Sequence, residues 1–207
     1  YVGSTVAPVA GRISGAATSI KGQLVHFTEN EPGRTLHSGD KASNQQYWQA
    51  SMDEAANQVS FNLVLPDGYN GFPGPVTVTA SYRLTEENEL RIAYQASSEK
   101  DTIFNPTNHV YFNLSGDFSQ TVADHQLRIQ AEHFVPLGED NLPLGEFWPV
   151  QDTPFDFREF APLGQGLIGQ YPQNQLVNGY DHPWVLLKEE VPVEVVSPDG
   201  KVRLLMR

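Results

Sequence analysis

The chain alternates apolar and polar residues over several stretches, and this period of two is the repeat of a β-strand that buries one face. Apolar residues occupy alternate positions from Val59 to Leu65. They do so again in 76–84 and in 90–96, on either side of the polar stretch 86–89. Two alternating runs joined by a short polar segment predict a β-hairpin.

The second half of the chain continues the same pattern. Alternation recurs over 127–131, and two apolar runs at 193–196 and 202–205 flank the sequence Ser-Pro-Asp-Gly at 197–200, in which Asp-Gly favours a tight turn. The segment suited to a short helical turn is Asp53–Asn57, and nothing sustains an amphipathic helix of about ten or more residues. We therefore predict an all-β fold.

The length of 207 residues is within the range of a single all-β domain, and no repeat or composition shift marks a second one. We expect one domain over 1–207. Two long segments, 67–75 and 155–178, are rich in glycine, proline or polar residues and predict loops, which often carry function. Both ends of the sequence fall in strand-like patterns, so we expect a fold truncated at both termini.

Composition narrows the classes of function. The formal net charge of −12 argues against a nucleic-acid partner, because affinity for phosphates depends on Lys and Arg. The chain has no cysteine, which excludes disulfides and thiolate chemistry and mildly favours the cytoplasm. No apolar run approaches the roughly 20 residues of a membrane helix, so no membrane partner is expected.

The densest cluster of polar and aromatic residues is Asn105–Gly116. Alternation on a strand would turn His109, Tyr111 and Asn113 to one face. An imidazole with a pKa near 6.5 is the side chain best suited to donate a proton near neutrality. Two interpretations of His109 stay open on this evidence: a proton donor, or a structural histidine bound by a neighbouring carbonyl.

Three further segments carry candidate chemistry. In Gly179–Trp184 a carboxylate, Asp181, stands among aromatic residues that suit a sugar ring. His182 would face the opposite way on a strand and is better explained as structural. His37 lies in a short His-Ser-Gly segment, and Arg12 lies among small residues, where it could enter a pocket or pair at the surface.

Two apparent motifs are set aside. The run Gly164–Gly169 has the spacing G-x-G-x-x-G, but a dinucleotide site needs a strand before it and a helix after it, and the flanking prolines do not predict them. The six histidines form no local ligand pattern for a metal. We therefore expect neither a cofactor nor a metal.

Taken in order, these segments resemble the aldose 1-epimerase (galactose mutarotase) family. The match covers nearly the whole chain, and its longest part is Asn105–Gly116, which is almost identical to the family's N-P-T-N-H-x-Y-F-N-L-x-G. The other matching segments are Tyr1–Ile13 (Y-x-G-A-T-x-x-R-x-x-N-R-I), Leu36–Gly39 (L-H-G-G), Thr153–Phe157 (T-P-F-D-F) and Gly179–His182.

The resemblance implies a large antiparallel β-sandwich, the galactose mutarotase-like supersandwich, and cofactor-free interconversion of the α and β anomers of free aldoses such as galactose and glucose. By the family pattern His109 would be the general acid, and Arg12, His37 and Asp181 would bind the sugar. The expected partner is a free, neutral small-molecule sugar; the sequence does not indicate an oligomeric state.

Two departures from the family pattern bear on this expectation. The family's catalytic glutamate lies in a segment that follows the strand pattern Val202–Arg207, so the resemblance assigns the base to no residue of this chain. Gly11 stands where many members have Asn, which removes one amide from the site. A noncatalytic carbohydrate-binding member of the same fold is the alternative.

Overall fold

A computed structural model describes residues 1–167 and 169–207. The chain forms two compact units: unit 1 is Tyr1–Tyr111 and unit 2 is Phe112–Arg207. The expectation of one domain over 1–207 stays a prediction. In both units the extended segments dominate and the ladders between named strands are antiparallel, so the all-β prediction is confirmed.

Unit 1 contains one 3-10 turn at Ser43–Gln45 and a series of strands. These strands are β1 (Thr5–Val6), β2 (Arg12–Ser14), β3 (Ala17–Ile20), β4 (Gln23–His26), β5 (Arg34–Leu36), β6 (Gln49–Asp53), β7 (Gln58–Leu65), β8 (Val76–Leu84), β9 (Leu90–Ser98) and β10 (Thr107–Asn108).

The largest sheet of unit 1 has the order β6-β7-β8-β9. Its alternating sequences place Leu63 opposite Val78 and Leu65 opposite Val76, and these side chains are buried together with Ala7. The hairpin predicted from 76–84 and 90–96 is present, with β8 and β9 paired from Val76–Ser98 to Leu84–Leu90. Period-two patterning was sufficient here because the strands are long and β8, which lies between β7 and β9, buries alternate residues.

Unit 2 is built from shorter elements. They are β11 (Gln126–Ile129), β12 (Ala131–Phe134), β13 (Trp148–Pro149), β14 (Ala161–Pro162), α1 (Gly164–Leu167), α2 (Pro172–Val177), β15 (Trp184–Leu186), β16 (Val193–Val196) and β17 (Arg203–Met206). The predicted pair at 193–196 and 202–205 is the hairpin β16–β17. Its connection is closed by the Ser197 amide, which donates to the Val202 carbonyl at 2.9 Å.

The core of unit 2 is aromatic. Phe134 and Phe155 are fully buried and stack with their centroids 4.0 Å apart. Trp184 and Tyr180 pack against Phe155 at 5.6 and 5.2 Å. The segment Thr153–Phe157 thus contributes two core side chains, because Phe157 is also buried.

Three local predictions were wrong. The segment Asp53–Asn57 is the end of β6 and a non-helical turn, while the short helices lie within 155–178, which was expected to be a loop. Asn105–Gly116 is extended only over β10, because Pro106 and the turn after Asn113 interrupt it. In the G-x-G-x-x-G segment Gly164–Gly169, Ile168 lies outside the described residues.

No helix in the described part of the chain is long and apolar enough to cross a membrane.

Candidate active site

The short ladder between β2 and β5 holds two of the predicted site residues. Arg12 pairs with Leu36 in this ladder, and the next residue, His37, continues it: its amide donates to the Gly11 carbonyl at 2.9 Å. Two segments far apart in the sequence, around Arg12 and His37, are therefore fixed side by side by backbone register.

The backbone at His37 has left-handed torsion angles, with φ of 50° there and 69° at Ser38. Non-glycine residues adopt this region rarely, and surrounding contacts must hold them there. The Gly11 amide donates to Nδ1 of His37 at 3.1 Å, so Nδ1 is an acceptor and the ring proton of the neutral form is on Nε2. The Gly11 amide thus fixes both the tautomer and the orientation of the His37 ring.

Ser38, the residue after His37, links this turn to Val9. It is 2% exposed; its Oγ accepts the Val9 amide and donates to the Val9 carbonyl, both at 2.8 Å. Ser43 is bonded in the same way: its Oγ accepts the Ala7 amide and donates to the Thr5 carbonyl, again at 2.8 Å. We call Ser38 and Ser43 the two buried serines of unit 1.

His109 is positioned by the continuation of the β1–β10 ladder. The His109 amide donates to the Ser4 carbonyl at 2.9 Å, and its carbonyl accepts the Gly3 amide at 2.8 Å. Beside this ladder the Tyr82 hydroxyl contacts the Thr5 hydroxyl at 3.0 Å and accepts the Asn108 amide group at 3.3 Å. The backbone of His109 is therefore held by two hydrogen bonds to Gly3 and Ser4.

The rings of His37 and His109 meet edge to face with centroids 5.2 Å apart. Tyr1 contacts both rings, at 4.5 Å from His37 and 5.8 Å from His109, and Tyr111 lies 5.2 Å from His109. Tyr111 is 66% exposed, so this cluster of rings lies at the surface. In the described part of the chain the His109 imidazole makes these ring contacts and no hydrogen bond.

Arg12 is held by a carboxylate that the sequence analysis did not single out. Its Nε and Nη2 donate to the two oxygens of Glu31 at 2.8 and 3.3 Å. Arg34 donates to the same carboxylate at 2.8 Å. These bonds, the one from Arg12 foremost, lower the pKa of Glu31, so this carboxylate is charged at neutral pH.

Asp181 lies in unit 2 on the exposed segment before β15. Its carboxylate makes no hydrogen bond or ion pair with any other described residue, and its amide donates to Nδ1 of His182 at 3.4 Å. His182 is buried; its Nε2 bonds Oε1 of Gln173 at 2.9 Å. Burial lowers the pKa of His182 to about 4, although the charge of Asp181 opposes this shift. This geometry agrees with the structural interpretation of His182.

Sequence reasoning missed Glu31 and the ring of Tyr1. A signal for Glu31 was present, since Glu31 and Arg34 flank a Pro-Gly turn and pair across it. Comparable reasoning could not find Tyr1, because its contacts depend on the β1–β10 ladder. Among the described residues no group of three or more His, Cys, Asp or Glu side chains is arranged to hold a metal.

Comparison with known proteins agrees with the order of these segments. The family model described as aldose 1-epimerase matches residues 1–207. The aldose 1-epimerase of Haemophilus influenzae is 33% identical over 210 residues, covering 100% of this chain and 61% of the relative. Human galactose mutarotase is 35% identical over 186 residues, covering 90% of this chain and 52% of the relative.

Solved structures give the same result. A galactose 1-epimerase from Lactobacillus acidophilus superposes with a TM-score of 0.86 at 32% identity, covering 95% of this chain and 58% of that one. An aldose epimerase homologue from Caenorhabditis elegans gives 0.87 at 28% identity, covering 99% and 61%. The chain thus spans between about half and three fifths of the length of these relatives. It belongs to the aldose 1-epimerase family.

Proposed function

We propose that this chain supplies the acid and sugar-binding groups of an aldose 1-epimerase that interconverts the α and β anomers of free, neutral aldoses. The observation that carries the proposal is the edge-to-face contact of His37 and His109 at 5.2 Å. These two histidines come from the two segments that most resemble family motifs around a histidine, and they meet at an exposed surface.

In the proposed reaction His109 donates a proton to the ring oxygen of the sugar while a base removes the proton of the anomeric hydroxyl. The bond between the anomeric carbon and the ring oxygen breaks, and the electron pair of the former O–H bond forms the carbonyl of an open-chain aldehyde. Rotation about the adjacent carbon–carbon bond presents the other face. Closure with the proton transfers reversed gives the other anomer, and no cofactor is needed to balance the step.

The remaining groups of unit 1 would position the sugar. His37 would contribute its imidazole, whose orientation is fixed by the bond from the Gly11 amide to Nδ1. Arg12 offers Nη1, because Glu31 takes Nε and Nη2. Both groups are held rigidly, and donors fixed in advance reduce the entropy that binding must overcome. The role of Asp181 in binding sugar oxygens stays a prediction from the family resemblance, as does a base in a segment beyond Arg207.

The direct test is proton NMR of freshly dissolved α-D-galactose, comparing the 207-residue chain, a version extended beyond Arg207, and buffer. Faster appearance of the β anomer with the extended version, together with binding of galactose by the 207-residue chain, is the expected result. Binding by both forms without acceleration by either would favour the noncatalytic carbohydrate-binding alternative. Neither binding nor acceleration by either form would refute the proposal.

A further inference from the structure

Arg12, the proposed sugar-binding arginine of unit 1, has a second arginine beside it. Arg12 and Ser14 share one face of β2, and Arg34 and Leu36 share the same face of β5, since Arg12 pairs with Leu36 and Ser14 with Arg34. Two guanidinium groups therefore converge on one side of this ladder, and the Glu31 carboxylate lies between them, 2.8 Å from Nε of each.

The bonds to Glu31 determine what Arg12 can still do. A guanidinium has donors at Nε, Nη1 and Nη2, and a carboxylate that binds two of them fixes the plane of the group. Nη1 of Arg12 makes no hydrogen bond with any other described residue, and the Arg12 side chain is 19% exposed. The pair thus presents one oriented donor whose positive charge is compensated by an adjacent carboxylate.

Compensation of charge matters for the choice of ligand. Without Glu31, two adjacent arginines would form an attractive site for an anionic group, because guanidinium ions bind carboxylates and phosphates in paired geometry. With Glu31 in place, the two guanidinium groups share one carboxylate, which lowers the positive charge of the cluster and occupies Nε and Nη2 of Arg12 and Nε of Arg34. An approaching anion therefore loses the paired donors of Arg12 and meets a like charge at close range, both of which weaken its binding. A neutral hydroxyl accepts the Nη1 donor without that penalty.

We propose that Glu31 is a positioning and specificity-determining residue: it fixes the orientation of Arg12 and weakens the binding of anionic sugars relative to neutral aldoses. This inference rests on the proposed function. If Glu31 had a merely structural role, its removal would weaken the binding of neutral and anionic sugars alike. If Glu31 determines specificity, removal of its charge changes the ratio of the two affinities.

The test is isothermal titration of the 207-residue chain and of its Glu31→Gln variant with D-galactose and with D-galacturonate. We expect the wild type to prefer galactose and the variant to shift the ratio of the two affinities toward galacturonate by about tenfold or more. Glu31→Asp, which keeps the charge, is expected to retain the wild-type preference, and thermal unfolding checks that each variant is folded.

Glu29→Gln is the matched control. Glu29 lies in the same turn and its carboxylate accepts the Gly33 amide at 2.8 Å, so this change removes one charge without touching Arg12. The control should keep the wild-type ratio. If the wild type binds galactose and folded Glu31→Gln keeps the wild-type ratio, the role of Glu31 is refuted and the proposed function stands. If neither the 207-residue chain nor the version extended beyond Arg207 binds galactose or accelerates its mutarotation, the proposed function fails and the specificity role fails with it.

Discussion

Replacing Ser38 with alanine tests whether the two buried serines of unit 1 secure the segment that leads into the site. Val9 and Asn105 form a parallel β-bridge. In this bridge the Asn105 amide donates to the Pro8 carbonyl, and the Asn105 carbonyl accepts the Ala10 amide. The amide and carbonyl of Val9 itself therefore point to the other side, where the Ser38 hydroxyl is their partner.

The loss of stability expected for Ser38→Ala follows from the two hydrogen bonds between Ser38 and Val9. The change leaves one buried amide and one buried carbonyl without a partner, and each such group costs about 1–3 kcal/mol. Partial relaxation of the surrounding backbone reduces the sum, so we expect the free energy of unfolding to fall by about 2–4 kcal/mol. For a chain of this length that corresponds to about 5–15 °C in Tm.

Urea unfolding measures the effect, provided that the slope of free energy against urea is the same in wild type and variant. Ser19→Ala is the control, because Ser19 is exposed on β3 and makes no side-chain hydrogen bond with the described residues; it should stay within about 0.5 kcal/mol of wild type. A loss below about 0.5 kcal/mol for Ser38→Ala would show that the Val9 groups find other partners, and the reasoning would be wrong.

Three other predictions concern the site and the folded state. In the extended protein, His109→Ala should lower the rate of mutarotation about 100-fold or more, whereas exposed His26→Ala should not; retention of more than a tenth of the activity would remove His109 as the acid. Burial lowers the pKa of His182 from 6.5 to about 4, so as the pH falls the unfolded chain binds a proton before the folded chain does. The neutral, buried His182 therefore contributes about 2–3 kcal/mol to the free energy of unfolding. This contribution is complete above about pH 6.5 and is lost as the pH falls toward about 4. His182→Gln should therefore unfold with a smaller pH dependence over that window, and equal dependence in urea titrations at pH 7 and 4.5 would contradict the assignment. Gly71→Ala should lower the free energy of unfolding by at least about 3 kcal/mol, since the new Cβ would lie 2.1 Å from the His26 carbonyl oxygen. Gly68 has a similar φ but open space around it, so Gly68→Ala should lower the free energy of unfolding by only about 1–2 kcal/mol. Equal losses of stability in thermal unfolding would refute the close approach at Gly71.

The sequence predicted the long strands well and the short elements poorly. Alternation identified β7 and the β8–β9 hairpin because eight or nine alternating residues give a clear period. In the structure β8 buries alternate residues, whereas β9 is exposed along nearly its whole length. The helix α2 has only six residues, Pro172–Val177, and its C-cap is Asn178 in the left-handed region. Such a helix depends on its caps and on contacts in unit 2, and its Pro- and Gln-rich sequence looks like a loop.

The candidate site was predictable in its members but not in its geometry. The motifs identified Arg12, His37 and His109, yet no spacing along the chain indicates that the two imidazoles touch. That contact follows from two separate ladders, β2–β5 and β1–β10, whose registers are set by tertiary packing. The role of Glu31 was missed for a related reason: the sequence shows that Glu31 and Arg34 flank a Pro-Gly turn, but not that Arg12 bonds the same carboxylate.

The β3–β4 hairpin offers a place where the chain can be lengthened. It stands between Arg12 and His37 in the sequence, yet the ladder that aligns these residues is formed by β2 and β5. Its tip, Lys21–Gly22, is exposed, and the entropic cost of a longer loop rises by only about 0.6 kcal/mol per doubling. An epitope or fluorophore-binding peptide inserted there would report on the protein without shifting the register on which Arg12 and His37 depend.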